Sequence, residues 1–325
     1  IFNDDGTKMY VPDSNSGYVY QYSLSTAFDV SSASYLNYYV SGVATQSMSF
    51  NNDGTKLFLL TVNQIREYSV STAFDTSSTV SLTTSTSLSS QESAMTGFAF
   101  NNDGTKMFTV GYNNDKVYEY ALSTAFDVSS SSLSFTDSLS ISSQEQIPTE
   151  IRFNLDGTKM YITGNEGRDI NEYTLSTAFD ISSTVTHKGS YSLASSDSYP
   201  TGFSFNNDGS KLFTTGASFN RVNEHSLTTP FSLVDVSGEH SGDVINTSNT
   251  DTYDTDPDSD TLTVTAIRTG SVEGSGTAGS VGSALTGSYG NLTIAANGSY
   301  TYVVADNSTL DALDAGDTVT DIFNY

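Results

Sequence analysis

A unit of about fifty residues occurs five times in succession, and this repeat limits the possible folds more than any other feature of the chain. Asp-Gly followed by Thr-Lys or Ser-Lys begins at Asp5, Asp53, Asp103, Asp156 and Asp208, at intervals of 48, 50, 53 and 52 residues. A second motif, STAFD, trails it at Ser25–Asp29, Ser71–Asp75, Ser123–Asp127 and Ser176–Asp180, with a degraded TTPFS at Thr228–Ser232. Two linked motifs in five copies predict one supersecondary unit per copy.

Each copy divides into four short segments that are rich in β-branched and aromatic residues. In the third copy these are TGFAF (96–100), KMFTVG (106–111), KVYEYAL (116–122) and SLSFTDSLSI (132–141). Asp-Gly between two apolar runs is a strong hairpin signal, because glycine accepts the positive φ that the turn requires. Four antiparallel strands in each of several copies predict an all-β fold, a β-propeller with one blade per copy.

Positions that recur in every copy are expected to serve the blade itself. The third segment has a β-branched residue at Val19, Ile65, Val117, Ile170 and Val222, and an aromatic ring three residues later at Tyr22, Tyr68, Tyr120, Tyr173 and His225. The phenylalanine of the second motif recurs at Phe28, Phe74, Phe126, Phe179 and Phe231. These rings are interpreted as scaffold, and the recurring phenylalanine is expected to plug the loop between the third and fourth strands into the blade edge.

The charge balance excludes several classes of partner. The chain has 37 Asp and Glu against 12 Lys and Arg, a net charge of −25. Such a chain repels phosphate backbones and anionic lipid, so no nucleic-acid partner and no membrane insertion are expected. With no cysteine, a disulfide framework and a zinc–thiolate site are excluded. High acidity and a surface rich in Ser and Thr favour an extracellular or cell-surface bacterial protein.

The sequence FNNDGTKMFTVG followed by KVYEYAL resembles the blade signature of the broad WD-repeat-like and lactonase-like propeller superfamily. The resemblance covers about residues 1–238 and implies the fold rather than one function. The chain opens at Ile1-Phe2, already at the end of a first strand. At least five blades are therefore expected, either as part of a larger ring or as a small closed one.

The segment 239–325 is predicted to be a separate domain. It has 13 acidic residues and one basic residue, and its strand-like runs include 261–270 and 291–304. The runs GSYGNLTIAANGSYTYVV (287–304) and DALDAGDTVTDIFNY (311–325) resemble the VCBS repeat, a cadherin-like β-sandwich module of large secreted bacterial adhesins. The resemblance implies an incomplete β-sandwich at 239–325, joined to propeller repeats at 1–238.

A run of alternating aspartates in this domain is a candidate calcium site. Asp254, Asp256, Asp258 and Asp260 stand at every second position. Calcium takes six to eight oxygen ligands, and a loop that folds carboxylates inward supplies them. The run is not an EF-hand, because Ser259 stands where glycine is required. The run is therefore expected to bind calcium as a cofactor. The alternative is a solvated acidic turn that precedes a strand.

Propeller ligands usually lie over the channel, beside the loops between second and third strands and the links between blades, where these copies diverge most. The candidate binding residues on this face are Gln46, Gln91, Glu92, Asn113, Asp115, Gln144, Glu145, Asn165, Arg168, Asp197 and Arg221. Amides, carboxylates and neighbouring aromatics suit an extracellular glycan or a surface protein as partner. The alternative is that these loops are polar because they are solvated.

Catalysis has little support in the motifs. None of the three histidines stands in a recognisable nucleophile elbow or metal motif. The resemblance to lactonase-like propellers leaves Glu92, Glu145 and Asp197 as candidate ligands of a central metal. We therefore expect a non-catalytic binding or adhesion protein, not an enzyme, with the C-terminal module as a calcium-stiffened spacer. The alternative is a secreted propeller enzyme that acts on a lactone or polysaccharide through a metal site at the channel mouth.

Overall fold

A computed structural model describes residues 1–194, 196–219, 221–233, 240–245, 261–305 and 318–325. The chain divides into two compact units, Ile1–Val234 and Asp235–Tyr325. The division falls a few residues before the boundary predicted from the sequence, and no residue between 234 and 239 is among those described.

The first unit consists of five antiparallel sheets, one for each copy of the repeat. Blade 1 contains β1 (Lys8–Pro12), β2 (Tyr18–Leu24), a 3₁₀ turn (Val30–Ser32) and β3 (Ala33–Val40). Blade 2 contains β4 (Ser47–Phe50), β5 (Lys56–Leu60), β6 (Gln64–Val70) and β7 (Val80–Ser87). Blade 3 contains β8 (Met95–Phe100), β9 (Lys106–Gly111), β10 (Lys116–Leu122) and β11 (Leu133–Ser140).

Blade 4 contains β12 (Pro148–Phe153), β13 (Lys159–Gly164), β14 (Asp169–Leu175) and β15 (Val185–Ser192). Blade 5 contains β16 (Pro200–Phe205), β17 (Lys211–Gly216) and β18 (Val222–Ser226). In each blade the strands pair in chain order as a meander. The all-β propeller architecture predicted from the repeat is confirmed, with the four-stranded sheets in the places where the sequence puts them.

The two recurring motifs are joined in space within each blade. In blade 3 the Asp103 carboxylate accepts hydrogen bonds from the backbone N–H and hydroxyl of Thr105, which closes an Asx-type turn. Gly104 takes φ 71°, and a Cβ there would lie 2.2 Å from the ring of Phe126. The Phe126 N–H donates to the Gly104 carbonyl at 2.9 Å. The phenylalanine of STAFD therefore packs flat on the glycine of the turn, and the same contact recurs in all five blades.

A second set of contacts joins each blade to the next. The lysine that follows the Asp-Gly turn donates its Nζ to the carbonyl of the STAFD phenylalanine in the following blade. The five pairs are Lys8–Phe74, Lys56–Phe126, Lys106–Phe179, Lys159–Phe231 and Lys211–Phe28, at 2.7–3.2 Å. Because the last pair runs from blade 5 back to blade 1, the five sheets form a closed ring.

The third strand of a blade is β2, β6, β10, β14 or β18, since β1–β3 are the second to fourth strands of blade 1. A carboxylate on this strand strengthens the joint in blades 2–5. In blade 3 the Glu119 carboxylate pairs with Lys106 at 2.7 Å and accepts the Ile181 N–H of blade 4 at 3.1 Å. Glu67, Glu172 and Glu224 make the equivalent contacts. Blade 1 has Gln21 at this position, and its Oε1 accepts from the Thr76 N–H at 2.8 Å.

The second unit is also built of β-strands. One sheet has β19 (His240–Asp243), β22 (Leu285–Thr286), β23 (Gly290–Ile294) and β24 (Ser299–Val304). The other has β20 (Ile267–Thr269), β21 (Ala278–Gly279) and β25 (Phe323–Asn324). Both sheets contribute to one apolar core that includes Val264, Ile267, Leu285, Leu292 and Ile294. The described part of the unit is thus a pair of small sheets around a core, while its assignment to the VCBS modules stays a prediction.

Among the described residues, no helix has the length and apolar character needed to cross a lipid bilayer.

Candidate functional site

The first strands of the blades lie at the middle of the ring and line its channel. Thr96 of β8 donates its hydroxyl to the Pro148 carbonyl of β12 at 2.7 Å, and Thr149 of β12 donates to the Pro200 carbonyl of β16 at 3.1 Å. The Ser47 hydroxyl of blade 2 reaches the Glu150 carboxylate of blade 4 at 2.7 Å. A contact that skips blade 3 shows how narrow the channel is.

Blade 4 fills this channel with charge where blades 2, 3 and 5 have small residues. At the position of Glu150 the aligned strands have Ser47, Gly97 and Gly202, and at the position of Arg152 they have Ser49, Ala99 and Ser204. A Cβ on Gly97 would lie 2.5 Å from the Cα of Glu150, so glycine is required for this close approach. The sequence analysis did not single out this pair. The signal was present, because PTEIRF is the one first strand among the aligned copies that has charged side chains.

Glu150 and Arg152 form a forked ion pair inside the channel. The two contacts are Nη1–Oε1 at 3.0 Å and Nη2–Oε2 at 3.2 Å. Glu150 is 4% exposed and also accepts the backbone N–H of Phe98 and of Ile151. Burial raises the pKa of the Glu150 carboxyl, and the guanidinium of Arg152 opposes this shift.

Arg152 also reaches a cavity of about 280 Å³ at the end of the channel where the Asp-Gly turns lie. We call this the turn-side cavity, and the opposite end of the ring the loop side. Amide side chains from several blades surround it, as do the rings of the first strands. Its lining includes Asp4, Asn52, Asn102, Asn207, Phe100 and Phe153. One guanidinium among amides and aromatic rings suits a small ligand with hydroxyl and carbonyl oxygens.

Among the described residues that line the turn-side cavity, Asp4 is the one with an acidic side chain. Partial burial raises its pKa, and the neighbouring charge of Asp5 adds to the shift. The amide of Asn207 in blade 5 donates to the Asp4 carbonyl, and this contact holds the first turn against the fifth. Asp4 and Arg152 both line this cavity, so it presents a carboxylate that can accept a proton and a guanidinium that can stabilise negative charge.

The carboxylates predicted as loop-side ligands make backbone contacts instead of forming a cluster. Glu92 accepts the N–H of Ala94 at 2.8 Å and of Asn114 at 3.1 Å, so it fastens the link between blades 2 and 3 to the next turn. Glu145 accepts the N–H of Ile147 at 2.7 Å and of Glu166 at 3.3 Å. A Cβ on Gly164 would lie 1.9 Å from the Glu145 carboxyl carbon, so this carboxylate lies flat on a glycine.

Asp197 repeats the pattern with a shorter side chain. It accepts the N–H of Tyr199 at 2.8 Å, of Ser218 at 3.2 Å and of Phe219 at 3.3 Å. Burial acts to raise its pKa, but these hydrogen bonds outweigh burial and hold the pKa below its usual value. Each of the three carboxylates serves its own link. Within the described residues, no three His, Asp or Glu side chains come together as metal ligands.

The remaining loop-side candidates are exposed or half-buried and are distributed over several blades and the links between them. They are Gln46, Gln91, Asn113, Asp115, Gln144, Asn165, Arg168 and Arg221. Asn113 donates to the Ser93 hydroxyl at 3.0 Å, and the Arg221 guanidinium lies 4.9 Å from the centre of the Phe219 ring. The aspartates proposed to bind calcium, Asp254, Asp256, Asp258 and Asp260, lie outside the described residues.

Comparison with known proteins gives matches at the level of structure only, since no protein family and no curated protein sequence matches this chain. A candidate 6-phosphogluconolactonase from Bacteroides fragilis is 13% identical with a TM-score of 0.47, over 70% of this chain and 78% of that one. The periplasmic gluconolactonase of Pseudomonas aeruginosa is 12% identical with a TM-score of 0.41, over 69% of this chain and 64% of that one. The Swd1 β-propeller domain of Myceliophteria thermophila is 10% identical with a TM-score of 0.36, over 65% and 63%.

These proteins are similar to the chain in fold. A further candidate 6-phosphogluconolactonase, from Bacteroides uniformis, is 10% identical, and the chain spans 64% of its length. The expectation from the sequence that the protein is not an enzyme does not hold against these matches, since three of them have lactonase names; the matches themselves show the fold alone.

Proposed function

We propose that the propeller hydrolyses a small hydroxylated ester or lactone in the turn-side cavity. The observation that carries the proposal is the guanidinium of Arg152, which is held by Glu150 and lines a cavity together with amides and aromatic rings. The lactonase names of the similar structures supply the compounds to test first.

The chemistry of lactone opening matches the groups in this cavity. Water adds to the carbonyl carbon, and negative charge develops on the carbonyl oxygen. A fixed guanidinium stabilises that charge, and such donors are worth about 10²–10³-fold in rate. In this proposal Arg152 takes that role, and Asp4 accepts the proton of the attacking water. When the intermediate collapses, the bond between the carbonyl carbon and the ring oxygen breaks, and Asp4 returns the proton to that oxygen, which leaves as a hydroxyl group. Glu150 positions Arg152 and does not touch the substrate.

Turnover can be measured with a pH-stat on gluconolactone and 6-phosphogluconolactone, against the spontaneous rate of opening. We expect Arg152→Lys to lower kcat/KM by about 100-fold, because lysine keeps the charge but loses the planar fork. Asp4→Asn is expected to lower kcat with little change in stability, since Asp4 is exposed. Arg221→Lys on the loop side is the matched control. An enzyme that opens neither compound faster than buffer, or equal activity in all three variants, rejects the proposal.

A second candidate is glycan binding on the loop side, and exposed aromatic rings favour it. Tyr112, Tyr199 and Phe219 are 53%, 56% and 56% exposed in the turns and links of this face. Rings beside amides such as Asn113 stack on and hydrogen-bond to sugars. A glycan array with a Tyr199→Ala variant tests this, and binding that the variant leaves unchanged counts against it. An extracellular or cell-surface location, a surface partner and a calcium-stiffened C-terminal spacer are further proposals that await measurement.

A further inference from the structure

Phenylalanine rings make up much of the wall of the turn-side cavity. Each blade has a phenylalanine three residues before the aspartate of its turn, and this ring packs on the STAFD phenylalanine of the same blade, as Phe153 does on Phe179 at 5.2 Å. The five phenylalanines that precede the turns and four of the STAFD phenylalanines line the cavity. Such a wall favours a ligand with an apolar part, because contact with the rings removes apolar surface from water.

Amide side chains of the turns line the same cavity. The residue before the turn aspartate is Asn52 in blade 2, Asn102 in blade 3 and Asn207 in blade 5. Asn52 donates its Nδ2 to the Asn102 carbonyl at 2.7 Å, and Asn102 donates in turn to the carbonyl of Leu155. The amides therefore join neighbouring turns and give this part of the lining a polar character.

Blade 4 interrupts the series of amides with an apolar side chain. Leu155 stands at the position of these asparagines, lines the cavity and is 59% exposed. A single exposed leucine is ordinary on a protein surface. Leu155 differs because it borders a cavity, replaces an amide that three other blades retain and belongs to the blade that supplies Arg152. Its apolar surface is therefore available to a ligand in the cavity.

Arg152 and Leu155 are close enough to contact two parts of one small molecule. They are three residues apart, and an extended chain spans at most about 10–11 Å over that interval. The ring of Phe153 lies between them in the sequence and lines the cavity as well. A substrate whose carbonyl oxygen meets Arg152 can therefore bring a substituent of a few carbon atoms to Leu155.

The charges of the lining do not suit an anionic substrate. Arg152 and Asp4 are the charged side chains among the described lining residues, and the guanidinium is already paired with Glu150 at 3.0 Å. A phosphate monoester carries a charge of about −1.5 to −2 at pH 7. It would meet no uncompensated cation among these side chains, and both Asp4 and the net charge of −25 repel it.

We propose that the substrate is an uncharged ester or lactone with an alkyl or aryl substituent. The substituent contacts the phenylalanine wall and Leu155, while the carbonyl oxygen faces Arg152. This assignment rests on the hydrolytic function proposed above and adds the class of substrate. Leu155 is then a specificity-determining residue, because it contributes to binding of the substituent and takes no part in the chemical step.

Four lactones that share a six-membered ring test the assignment on the full chain. δ-Valerolactone has no substituent, δ-decalactone has a pentyl chain, δ-gluconolactone has hydroxyl groups, and 6-phosphogluconolactone adds a phosphate. Opening consumes one water and releases a hydroxy acid, so a pH-stat measures the rate above spontaneous opening. We expect kcat/KM for δ-decalactone to exceed that for δ-gluconolactone by at least about tenfold, because the pentyl chain buries several methylene groups. The phosphorylated lactone should have the lowest value.

A variant at Leu155 separates the substituent from the reacting ring. Leu155→Asn gives blade 4 the residue that blades 2, 3 and 5 have. We expect it to lower kcat/KM for δ-decalactone about tenfold through KM, and to leave the value for δ-valerolactone within about twofold of the wild type. Leu82→Asn is the matched control and should retain both values, since Leu82 on β7 is 53% exposed and lies outside the lining of the cavity.

The outcomes distinguish this assignment from the hydrolytic function on which it rests. Equal kcat/KM for δ-decalactone and δ-gluconolactone, or a Leu155→Asn variant equal to the wild type on δ-decalactone, overturns the apolar substituent and leaves hydrolysis standing. A higher value for 6-phosphogluconolactone than for δ-gluconolactone overturns the argument from charge. If none of the four lactones opens faster than in buffer, the hydrolytic function and the assignment fail together.

Discussion

Removal of Arg152 should destabilise the propeller in a way that depends on pH, because it leaves Glu150 buried without a counter-ion. Glu150 is 4% exposed and takes its charge balance from the forked pair with Arg152. Breaking a buried pair at one partner costs about 3–5 kcal/mol. Glu150 keeps its hydrogen bonds from Ser47, Phe98 and Ile151, so Arg152→Leu should fall at the lower end of that range, about 3 kcal/mol at pH 8.

The sign of the pH dependence follows from the direction of the pKa shift. Burial already raises the pKa of Glu150, and loss of the guanidinium raises it further. The folded state of the variant then binds a proton more tightly than the unfolded state does. Its stability therefore falls as the pH rises from the unfolded pKa, about 4.3, through the raised folded pKa. The loss caused by Arg152→Leu should be large at pH 8 and small at pH 5.

Urea unfolding followed by circular dichroism, at pH 5 and pH 8, measures both effects. A loss of about 3 kcal/mol lowers the urea midpoint by roughly 1 M or more for a slope of 1–3 kcal/mol per molar. The double variant Glu150→Gln/Arg152→Leu removes the buried charge and should recover most of the stability at pH 8. An equal loss at both pH values, or a double variant no more stable than the single one, would refute the reasoning.

Three further outcomes follow from the contacts of the ring. Gly104→Ala should lower the free energy of unfolding by at least about 1 kcal/mol in a urea titration, because alanine disfavours φ 71° and its Cβ meets the ring of Phe126. Lys106→Met should lower the free energy of unfolding by about 3–5 kcal/mol in the same assay, because it leaves Glu119, which is 7% exposed, without its cation. Lys211→Met should lower it clearly less, because Glu224 is 24% exposed. Equal losses in the two variants would contradict this account. Hydrogen bonds from the Thr or Ser two residues later lower the pKa of the five turn aspartates. The stability that these aspartates contribute is therefore present above the unfolded pKa of about 3.9 and is lost as the pH falls through the lower pKa values of the folded state. The urea midpoint, measured between pH 6 and pH 3, should decline from near pH 4 downward.

The repeat made the blade predictable because both motifs have local causes. An Asx-type turn needs the aspartate and the hydroxyl two residues later, and a positive φ needs glycine, so Asp103, Gly104 and Thr105 identify a hairpin without any tertiary information. The recurring phenylalanine was also placed correctly at the loop between third and fourth strands. The contact of this phenylalanine with the glycine of the turn could not be predicted from the sequence, because Phe126 takes a positive φ of 53° to reach Gly104.

Ring closure and the channel depended on contacts between distant segments. From the sequence, the five copies could form part of a larger ring or a small closed ring. The contact of Lys211 with Phe28, which are 183 residues apart in the chain, shows that the ring of five blades is closed. The resemblance to lactonase-like propellers made Glu92, Glu145 and Asp197 candidate metal ligands. A sequence does not reveal that backbone N–H groups of the adjoining turn occupy their oxygens. The loop-side binding face itself stays a prediction.

In a ring built from copies of one repeat, a side chain present in every copy serves the ring, and a departure confined to one copy is available for another role. Two such departures lie at opposite radii of the propeller. Glu150 and Arg152 come from a first strand and project into the channel, whereas the tyrosines of β2 and β3 come from a third and a fourth strand at the rim. Because the sheet of each blade runs from the channel to the rim, the charged pair in the channel and the tyrosines at the rim share no residue. The repeat motifs between them keep the ring closed, so these side chains can differ from blade to blade without opening the ring.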